Sequence, residues 1–261
     1  MKTKLLLSFI SITIASLLHG EAINQNELKS ALSKGITFSK DYKVLRRCPQ
    51  DVTSVAIPNG VEKIAAKAFF NCEKLTSVSI PSSVNTIGSS AFMNCKELTS
   101  ITIPNKVSKI GSSTFRNCYN LTNITIPNTV SKIGSWAFEN CHNLKSIILP
   151  HKITKIEHST FKGCKNLTSV VIPESVTVLS TDCFSNCSSL TKITIPSNVK
   201  VIWSSAFKNC SNLTEITLPN TIEKIGSSAF DNCNKLTTIT IPSKCTISPY
   251  SFPKTCKIIK K

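Results

Sequence analysis

The fold is decided by residues 98–120, which read LTSITIPNKVSKIGSSTFRNCYN. The same pattern returns every 23 residues along most of the 261-residue chain. Val52 opens the first copy, and a leucine opens each later one: Leu75, Leu98, Leu121, Leu144, Leu167, Leu190, Leu213 and Leu236. Nine in-phase copies indicate a solenoid, in which each unit buries its apolar side chains against its neighbours.

Each copy is predicted to open with a short β-strand. Ile101 and Ile103 alternate with Ser100 and Thr102, which is the period-two pattern of a strand with one buried face. A proline follows in every copy and has no amide hydrogen for a strand ladder, so it ends the strand at the same position of each coil. These prolines are Pro58, Pro81, Pro104, Pro127, Pro150, Pro173, Pro196, Pro219 and Pro242.

The rest of each copy supplies the bends and the core. Val107 and Ile110 are expected to point inward on the return leg. A tight bend is predicted in four copies at Gly88, Gly111, Gly134 and Gly226. One phenylalanine per coil should form a continuous column: Phe69, Phe92, Phe115, Phe138, Phe161, Phe184, Phe207 and Phe230. The pattern therefore predicts a β-rich solenoid of nine stacked 23-residue coils with short strands.

Both ends of such a stack need a cap, because an end coil would otherwise expose core and strand edge. Residues 23–51 are predicted to form the N-terminal cap, with a short helix over residues 24–35. Leu28, Ala31 and Leu32 share one face of this helix.

The solenoid is assigned to residues 52–261, with a C-terminal cap from about residue 242. Pro249 and Pro253 break the repeat there, and a basic tail follows. The caps and coils together account for the chain from residue 23 to its last residue.

The first residues have the plan of a secretory signal peptide, with Lys2 and Lys4 before the apolar run Leu5–Leu18 and small residues up to Ala22. We therefore predict a signal peptide at residues 1–22 and a secreted or cell-surface protein, with the periplasm as an alternative. A membrane anchor is the competing interpretation, but the run is shorter than the roughly 18 residues that cross a bilayer. No membrane span is expected after cleavage.

The formal net charge is +17, and loss of Lys2 and Lys4 would leave about +15. Arg46, Arg47 and Arg116 are the only arginines. Because nucleic-acid recognition depends on arginine forks, and an exported protein rarely meets nucleic acid, that partner is not expected. An anionic polysaccharide, anionic lipid headgroups or an acidic host or extracellular protein fits the charge better. The alternative is that the charge only maintains solubility.

The consensus L-x-x-I-x-I-P-x-x-V-x-x-I-G-x-x-A-F-x-x-C-x-x resembles the BspA-like leucine-rich-repeat family of bacterial and protozoan surface proteins. Residues 36–41, ITFSKD, with Leu45 and Pro49 before the first copy, are similar to the segment that precedes the repeats of that family. The resemblance covers about residues 36–256. It implies a leucine-rich-repeat solenoid and adhesion to host proteins or other cells, and it carries over no binding residue.

Nine of the twelve cysteines also recur in phase: Cys72, Cys95, Cys118, Cys141, Cys164, Cys187, Cys210, Cys233 and Cys256. Stacked coils place equivalent Cβ atoms about 4.8 Å apart, beyond the roughly 3.5–4.5 Å of a disulfide. Buried thiols are therefore predicted. Cys48, Cys183 and Cys245 lie off this column, and their redox state stays open. Cys183 replaces the alanine of the repeat and is predicted to lie in the core.

Catalytic and metal chemistry find no support in the pattern. His142, His151 and His158 fall at three different repeat positions, so they do not converge as ligands. The serine pairs recur as turn residues, whereas a catalytic serine should be unique and accompanied by a histidine and a carboxylate. We therefore expect no enzyme, no cofactor and no metal site.

An asparagine precedes the column cysteine in seven copies: Asn71, Asn94, Asn117, Asn140, Asn186, Asn209 and Asn232. Their side chains are predicted to hydrogen-bond backbone amides in the turn, as an internal ladder.

Two features exceed what folding requires. Five lysines share one repeat position and should form a surface row: Lys63, Lys109, Lys132, Lys155 and Lys224. Because like charges at this spacing repel, the row is either tolerated through screening or reserved for an anionic ligand. Trp203 replaces the turn glycine and Trp136 lies two positions after it, where the core needs no large ring. These tryptophans are candidate interface anchors.

The sequence predicts a non-enzymatic binding or adhesion protein that recognises a macromolecular partner through these residues. The alternative is a structural or envelope-associated repeat protein without a specific ligand. A patch that varies from coil to coil would favour binding, whereas a uniform face would favour the structural role.

Overall fold

The computed structural model describes residues 22–261, so the predicted signal peptide lies outside the described residues except for Ala22. The described chain begins with helix α1 (Gln25–Ser33). Asn24 caps it, because its side-chain oxygen accepts hydrogen bonds from two backbone N–H groups of the first turn.

Helix α1 covers one end of the solenoid. Leu28 and Ala31 are buried, whereas Leu32 is 37% exposed, so the apolar face is narrower than the sequence predicted. The helix packs against the first long strand, β3 (Ser54–Ala56). It therefore shields a strand edge that would otherwise be open.

A small hairpin joins the cap to the coils. Strand β1 (Thr37–Phe38) pairs antiparallel with β2 (Val44–Arg47). Strand β2 then pairs in parallel with the first short strand, β4 (Lys63–Ile64). The cap thus supplies the first two strands of the sheet that the coils continue.

Each of the nine coils contributes one long and one short strand. The long strands are β3, β5 (Ser77–Ser79), β7 (Ser100–Thr102), β9 (Asn123–Thr125), β11 (Ser146–Ile148), β13 (Ser169–Val171), β15 (Lys192–Thr194), β17 (Glu215–Thr217) and β19 (Thr238–Ile241). The short strands are β4, β6 (Thr86–Ile87), β8 (Lys109–Ile110), β10 (Lys132–Ile133), β12 (Lys155–Ile156), β14 (Val178–Leu179), β16 (Val201–Ile202), β18 (Lys224–Ile225) and β20 (Thr246–Ile247).

The coil strands stack in parallel, and most of them pair with the equivalent strand of a neighbouring coil. The short strands form two sheets: β1-β2-β4-β6-β8-β10 has six strands and β12-β14-β16-β18-β20 has five. The long strands pair two by two along the stack. Residues of one repeat position therefore become neighbours in space, as Ser100 and Asn123 do. The molecule is a β-solenoid of about nine turns, as the sequence predicted.

The phenylalanine column forms the centre of the core. Neighbouring rings are stacked, with centroids 4.8 Å apart for Phe69 and Phe92 and 5.5 Å apart for Phe115 and Phe138. All eight predicted rings are fully buried. Phe252 adds a ninth ring, stacked on Phe230 at 5.2 Å. The sequence pattern missed it because the last coil is one residue short at that point.

Strand β21 (Lys257–Lys260) closes the C-terminal end. It pairs in parallel with β19, so the basic tail adds a strand to the long-strand side of the stack. Ile258 and Ile259 remain 39% and 41% exposed.

The repeated asparagines form a ladder, although not the predicted one. Asn94 Nδ2 donates to Asn71 Oδ1 at 2.6 Å, and Asn117 Nδ2 donates to Asn94 Oδ1 at 2.7 Å. The bonds thus join side chain to side chain, so the prediction of backbone partners was wrong. The backbone at each of these asparagines has positive φ, for example 62° at Asn71. Asparagine is the residue, after glycine, that tolerates this conformation best, and Gly163 replaces it where the ladder breaks.

The structure explains the recurring glycines by the close approach of neighbouring coils, and not by the tight bend that the sequence predicted. Gly88 has no positive φ; instead, a Cβ added there would lie 2.4 Å from the backbone nitrogen of Ala66. The backbone of the preceding coil approaches too closely for a side chain. At Gly88, Gly111, Gly134 and Gly226 glycine thus permits a close approach of the preceding coil, whereas other coils carry larger residues at this position, such as Trp203.

All twelve cysteines, which lie within the described residues, are free thiols. Seven of the nine column thiols donate to the carbonyl oxygen of the phenylalanine in the preceding coil, as Cys118 Sγ does to Phe92 O at 3.2 Å. Cys72 donates instead to Pro49 O in the cap, at 3.3 Å. Cys183 is buried in the core, where the sequence placed it.

Candidate binding surfaces

The lysine row lies on the outward face of the short strands. Lys109 and Lys132 are register partners in β8 and β10, and Lys155 follows in the next coil. All five lysines of the row are exposed. Thr86 separates Lys63 from the others. The structure therefore brings Lys109, Lys132 and Lys155 together on successive coils, and we call these three the lysine triplet.

Lys224 lies apart from the lysine triplet. Val178 and Val201 occupy the two intervening positions of the row. The predicted five-residue row is thus one contiguous triplet with an isolated lysine on either side.

Six other lysines, five in the coils and Lys43 in the cap, pair with a carboxylate of a neighbouring coil. Lys192 Nζ lies 2.7 Å from Glu215 Oε2, and Lys96 Nζ lies 2.8 Å from Glu73 Oε1. Further pairs are Lys43–Glu62, Lys162–Asp182, Lys200–Glu223 and Lys208–Asp231. Within residues 22–261, no lysine of the row has such a partner. The triplet is therefore an uncompensated concentration of positive charge.

Trp136 lies in the same coil as Lys132, four residues further along the chain. Its ring is 37% exposed and meets His158 edge to face, with centroids 5.1 Å apart. His158 belongs to the coil of Lys155. Trp203 is 45% exposed but lies three coils beyond Trp136. The structure thus places one predicted tryptophan in the coils of the lysine triplet and the other away from them.

One serine and one histidine come into contact. Ser159 Oγ lies 3.3 Å from His158 Nε2, but Ser159 is only 1% exposed. Among the described residues, no carboxylate hydrogen-bonds to His158, so the third group that orients a catalytic histidine has no counterpart here. His142 instead stacks on Tyr119 at 4.8 Å, and burial lowers the pKa of its imidazole.

A metal centre would need several ligands brought together. Residues 22–261 contain no group of three or more His, Cys, Asp or Glu side chains arranged to hold a metal ion.

Sequence reasoning missed two exposed apolar side chains on the long strands. Ile148 is 83% exposed and Val171 is 73% exposed. The signal was available, because the other coils carry serine, threonine or, at Ala56, alanine at this position. The period-two pattern does not draw attention to Ile148 and Val171, because the adjacent Ile147 and Val170 are the expected inward residues.

Stacked coils with a leucine, isoleucine and phenylalanine core, parallel strands and capped ends define a leucine-rich-repeat solenoid protein. The chain belongs to the BspA type leucine rich repeat family, whose family model matches residues 41–165 and 137–260. The resemblance seen in the repeat consensus is thereby confirmed.

Solved structures of bacterial leucine-rich-repeat proteins share the fold. A leucine-rich repeat protein from Bacteroides ovatus is 29% identical with a TM-score of 0.73, over 81% of this chain and 55% of that one. The chain thus spans about half of the length of that protein. The Treponema pallidum leucine rich repeat protein is 29% identical with a TM-score of 0.54, over 77% of this chain and 86% of that one.

A third structure shows the fold alone. It is described as a leucine rich cell surface protein from Faecalibacterium prausnitzii, and it is 24% identical with a TM-score of 0.52, over 84% of each chain. No curated protein matches the chain. Among the described residues, no helix has the length and apolar character to span a membrane.

Proposed function

We propose that this protein is a secreted or cell-surface binding protein that attaches to an anionic polysaccharide through the lysine triplet. The observation that carries the proposal is the alignment of three exposed lysines without a carboxylate partner on successive coils of one face. Lysines such as Lys96, Lys192 and Lys200 are instead neutralised by a carboxylate one coil away. Three uncompensated charges on successive coils create a local potential that attracts a polyanion.

Two further features support this proposal. Lysine offers compact point charges that suit sulfate or carboxylate groups distributed along a chain. The half-exposed ring of Trp136 adds an apolar platform in the same coils, on which a sugar ring can pack. Export is supported by the charged and apolar pattern of residues 1–22. The protein acts by binding, without catalysis.

The proposal is tested with a triple variant, Lys109→Gln, Lys132→Gln and Lys155→Gln, and with heparin as the sulfated ligand. We expect the variant to lose about tenfold in affinity, because exposed charges contribute modestly one by one and add when adjacent. Wild-type affinity should also fall steeply as salt rises. Isothermal titration at two salt concentrations gives both quantities.

The matched control replaces Lys74, Lys235 and Lys254 by Gln, which removes the same charge from exposed sites that have no carboxylate partner in the described structure. This control should bind heparin nearly as well as the wild type. Equal losses in the two triple variants would mean that only net charge matters. Absence of heparin binding by the wild type would favour the structural role.

A further inference from the structure

Ile148 and Val171 form an apolar stripe on the outward face of the long strands. They are register partners on β11 and β13, so their side chains lie next to each other. The equivalent residues of the other coils, apart from Ala56, carry hydroxyl groups: Ser79, Thr102, Thr125, Thr194, Thr217 and Thr240. The stripe therefore interrupts an otherwise hydroxyl-bearing face at its middle.

Folding does not require these two side chains. The inward positions of the same strands are filled by Ile147 and Val170, which are 4% and 8% exposed. Threonine satisfies the outward position in the neighbouring coils and has a similar preference for strands. Ile148 and Val171 thus leave large apolar surfaces in water that threonine would not, and adjacent exposed apolar residues on a polar face are typical of contact sites.

Basic residues lie before and after β11 along the chain. Lys145 precedes β11, and His151 and Lys152 follow it. All three are exposed, and neither lysine has a carboxylate partner among residues 22–261. The nearby carboxylate, Glu174, is engaged with the next coil, where its Oε2 accepts hydrogen bonds from the backbone N–H and the hydroxyl of Ser197.

We propose that Ile148 and Val171 form the centre of a docking site for an acidic polypeptide segment that carries apolar side chains. The apolar stripe provides the desolvated centre and Lys145 and Lys152 the charged rim, which is the usual anatomy of a protein interface. A second copy of this chain is disfavoured as the occupant, because each copy would have a net charge of about +15 after loss of Lys2 and Lys4 and would bring its lysines against the same lysines.

This site is independent of the proposed polysaccharide surface, because the lysine triplet lies on the short strands. A protein with both surfaces could hold a polyanion on one side and a polypeptide on the other. The two proposals therefore fail separately.

The test uses fluorescein-labelled 12-residue peptides and fluorescence anisotropy. One peptide alternates Glu with Leu, a second alternates Glu with Ser, and a third alternates Lys with Leu. The variant Ile148→Thr with Val171→Thr restores the residue of the neighbouring coils, so its fold should be retained, as circular dichroism would verify. The control, Ile258→Thr with Ile259→Thr, changes two half-exposed aliphatic residues on β21.

We expect the Glu/Leu peptide to bind the wild type and the β21 control alike, and to bind the Ile148/Val171 variant about tenfold more weakly or worse. Lys145→Gln with Lys152→Gln should weaken the same peptide, while the Glu/Ser and Lys/Leu peptides should bind poorly throughout. Equal binding of the Glu/Leu peptide to wild type and variant, or no binding to either, would overturn the proposal. A wild-type dimer in sedimentation that the variant abolishes would also overturn it, in favour of self-association.

Discussion

At the scale of the residue, core side chains pack against the residues at the same repeat position in the two neighbouring coils. Phe138 stacks between Phe115 and Phe161, with centroids 5.5 Å away on both sides. Cys141 donates its thiol hydrogen to Phe115 O at 3.2 Å. The core is therefore built from contacts between identical positions, and the cost of changing a residue depends on how many coils flank it.

Replacing Phe138 by Ala should destabilise the protein by about 3–5 kcal/mol, because a fully buried ring is lost and two stacked neighbours remain beside the cavity. Phe252 provides the matched control: it is partly buried and stacks on Phe230 alone. Phe252→Ala should cost about half as much. Urea unfolding of both variants measures the difference, and a larger loss at Phe252 would contradict a core made of stacked equivalents.

The buried thiols should make stability depend on alkaline pH. Burial raises the pKa of Cys118, Cys141 and Cys164 above the ordinary value of 9.0, because a thiolate would be desolvated. The thiols of the folded state therefore stay protonated to a higher pH than those of the unfolded state. The stabilisation is fully present below about pH 9 and is lost above it, by about 1.4 kcal/mol per thiol and pH unit.

We expect the free energy of unfolding, measured in reductant between pH 7.5 and 10, to stay level and then fall steeply above pH 9. The triple variant Cys118→Ala, Cys141→Ala and Cys164→Ala should be less stable at pH 7.5 but should lose stability less steeply above pH 9. An unchanged slope in this variant would show that the thiols do not set the alkaline limit. Thiol counting after denaturation should find twelve free groups.

At the scale of the element, the sequence predicted the strands that all nine coils share and missed the residues at which single coils differ from the consensus. The alternation of isoleucine with hydroxyl residues and the invariant proline position predicted the long strands, because both depend on backbone geometry that every coil shares. The outward Ile148 and Val171 were missed because two deviating copies do not alter a nine-copy consensus. Only the structure shows that both remain in water.

The lysine row also shows what a repeat consensus leaves out. Shared repeat position correctly predicted exposure on one face, but position alone does not reveal which neighbours intervene or where carboxylates lie. Thr86 and Val178 interrupt the row of lysines. Lys192 forms an ion pair with Glu215 because stacking aligns residues that are 23 positions apart. Ion pairs between coils therefore have to be examined separately at each repeat position. The stacked structure is what distinguishes the lysine triplet from the other lysines.

At the scale of the whole molecule, stability is a sum of coil interfaces along one axis. The parallel strand pairs of the coils, the phenylalanine stacks and the ladder of repeated asparagines join each coil to its immediate neighbours, as the bond from Asn117 to Asn94 illustrates. The ends are closed by α1 at one side and β21 at the other. Interior coils are thus interchangeable units, provided that the number of residues between equivalent positions is kept.

Deleting residues 98–120, one whole coil, should consequently leave a folded protein. The deletion joins Glu97 to Leu121, so Phe92 would stack on Phe138 and every later column would keep its register. Because the denaturant m-value scales with the surface exposed on unfolding, it should fall by about a ninth. Circular dichroism and urea unfolding test both expectations.

The control deletes residues 98–108, which removes eleven residues and leaves half a coil. The remaining strand β8 would then have no long strand before it, and the columns on either side could not align without exposing the phenylalanine core. This variant should lose cooperative unfolding or aggregate, although it removes less than half as many residues. If both deletions unfolded the chain to the same extent, the coils would not be equivalent units and stability would depend on the particular sequence of coil 98–120.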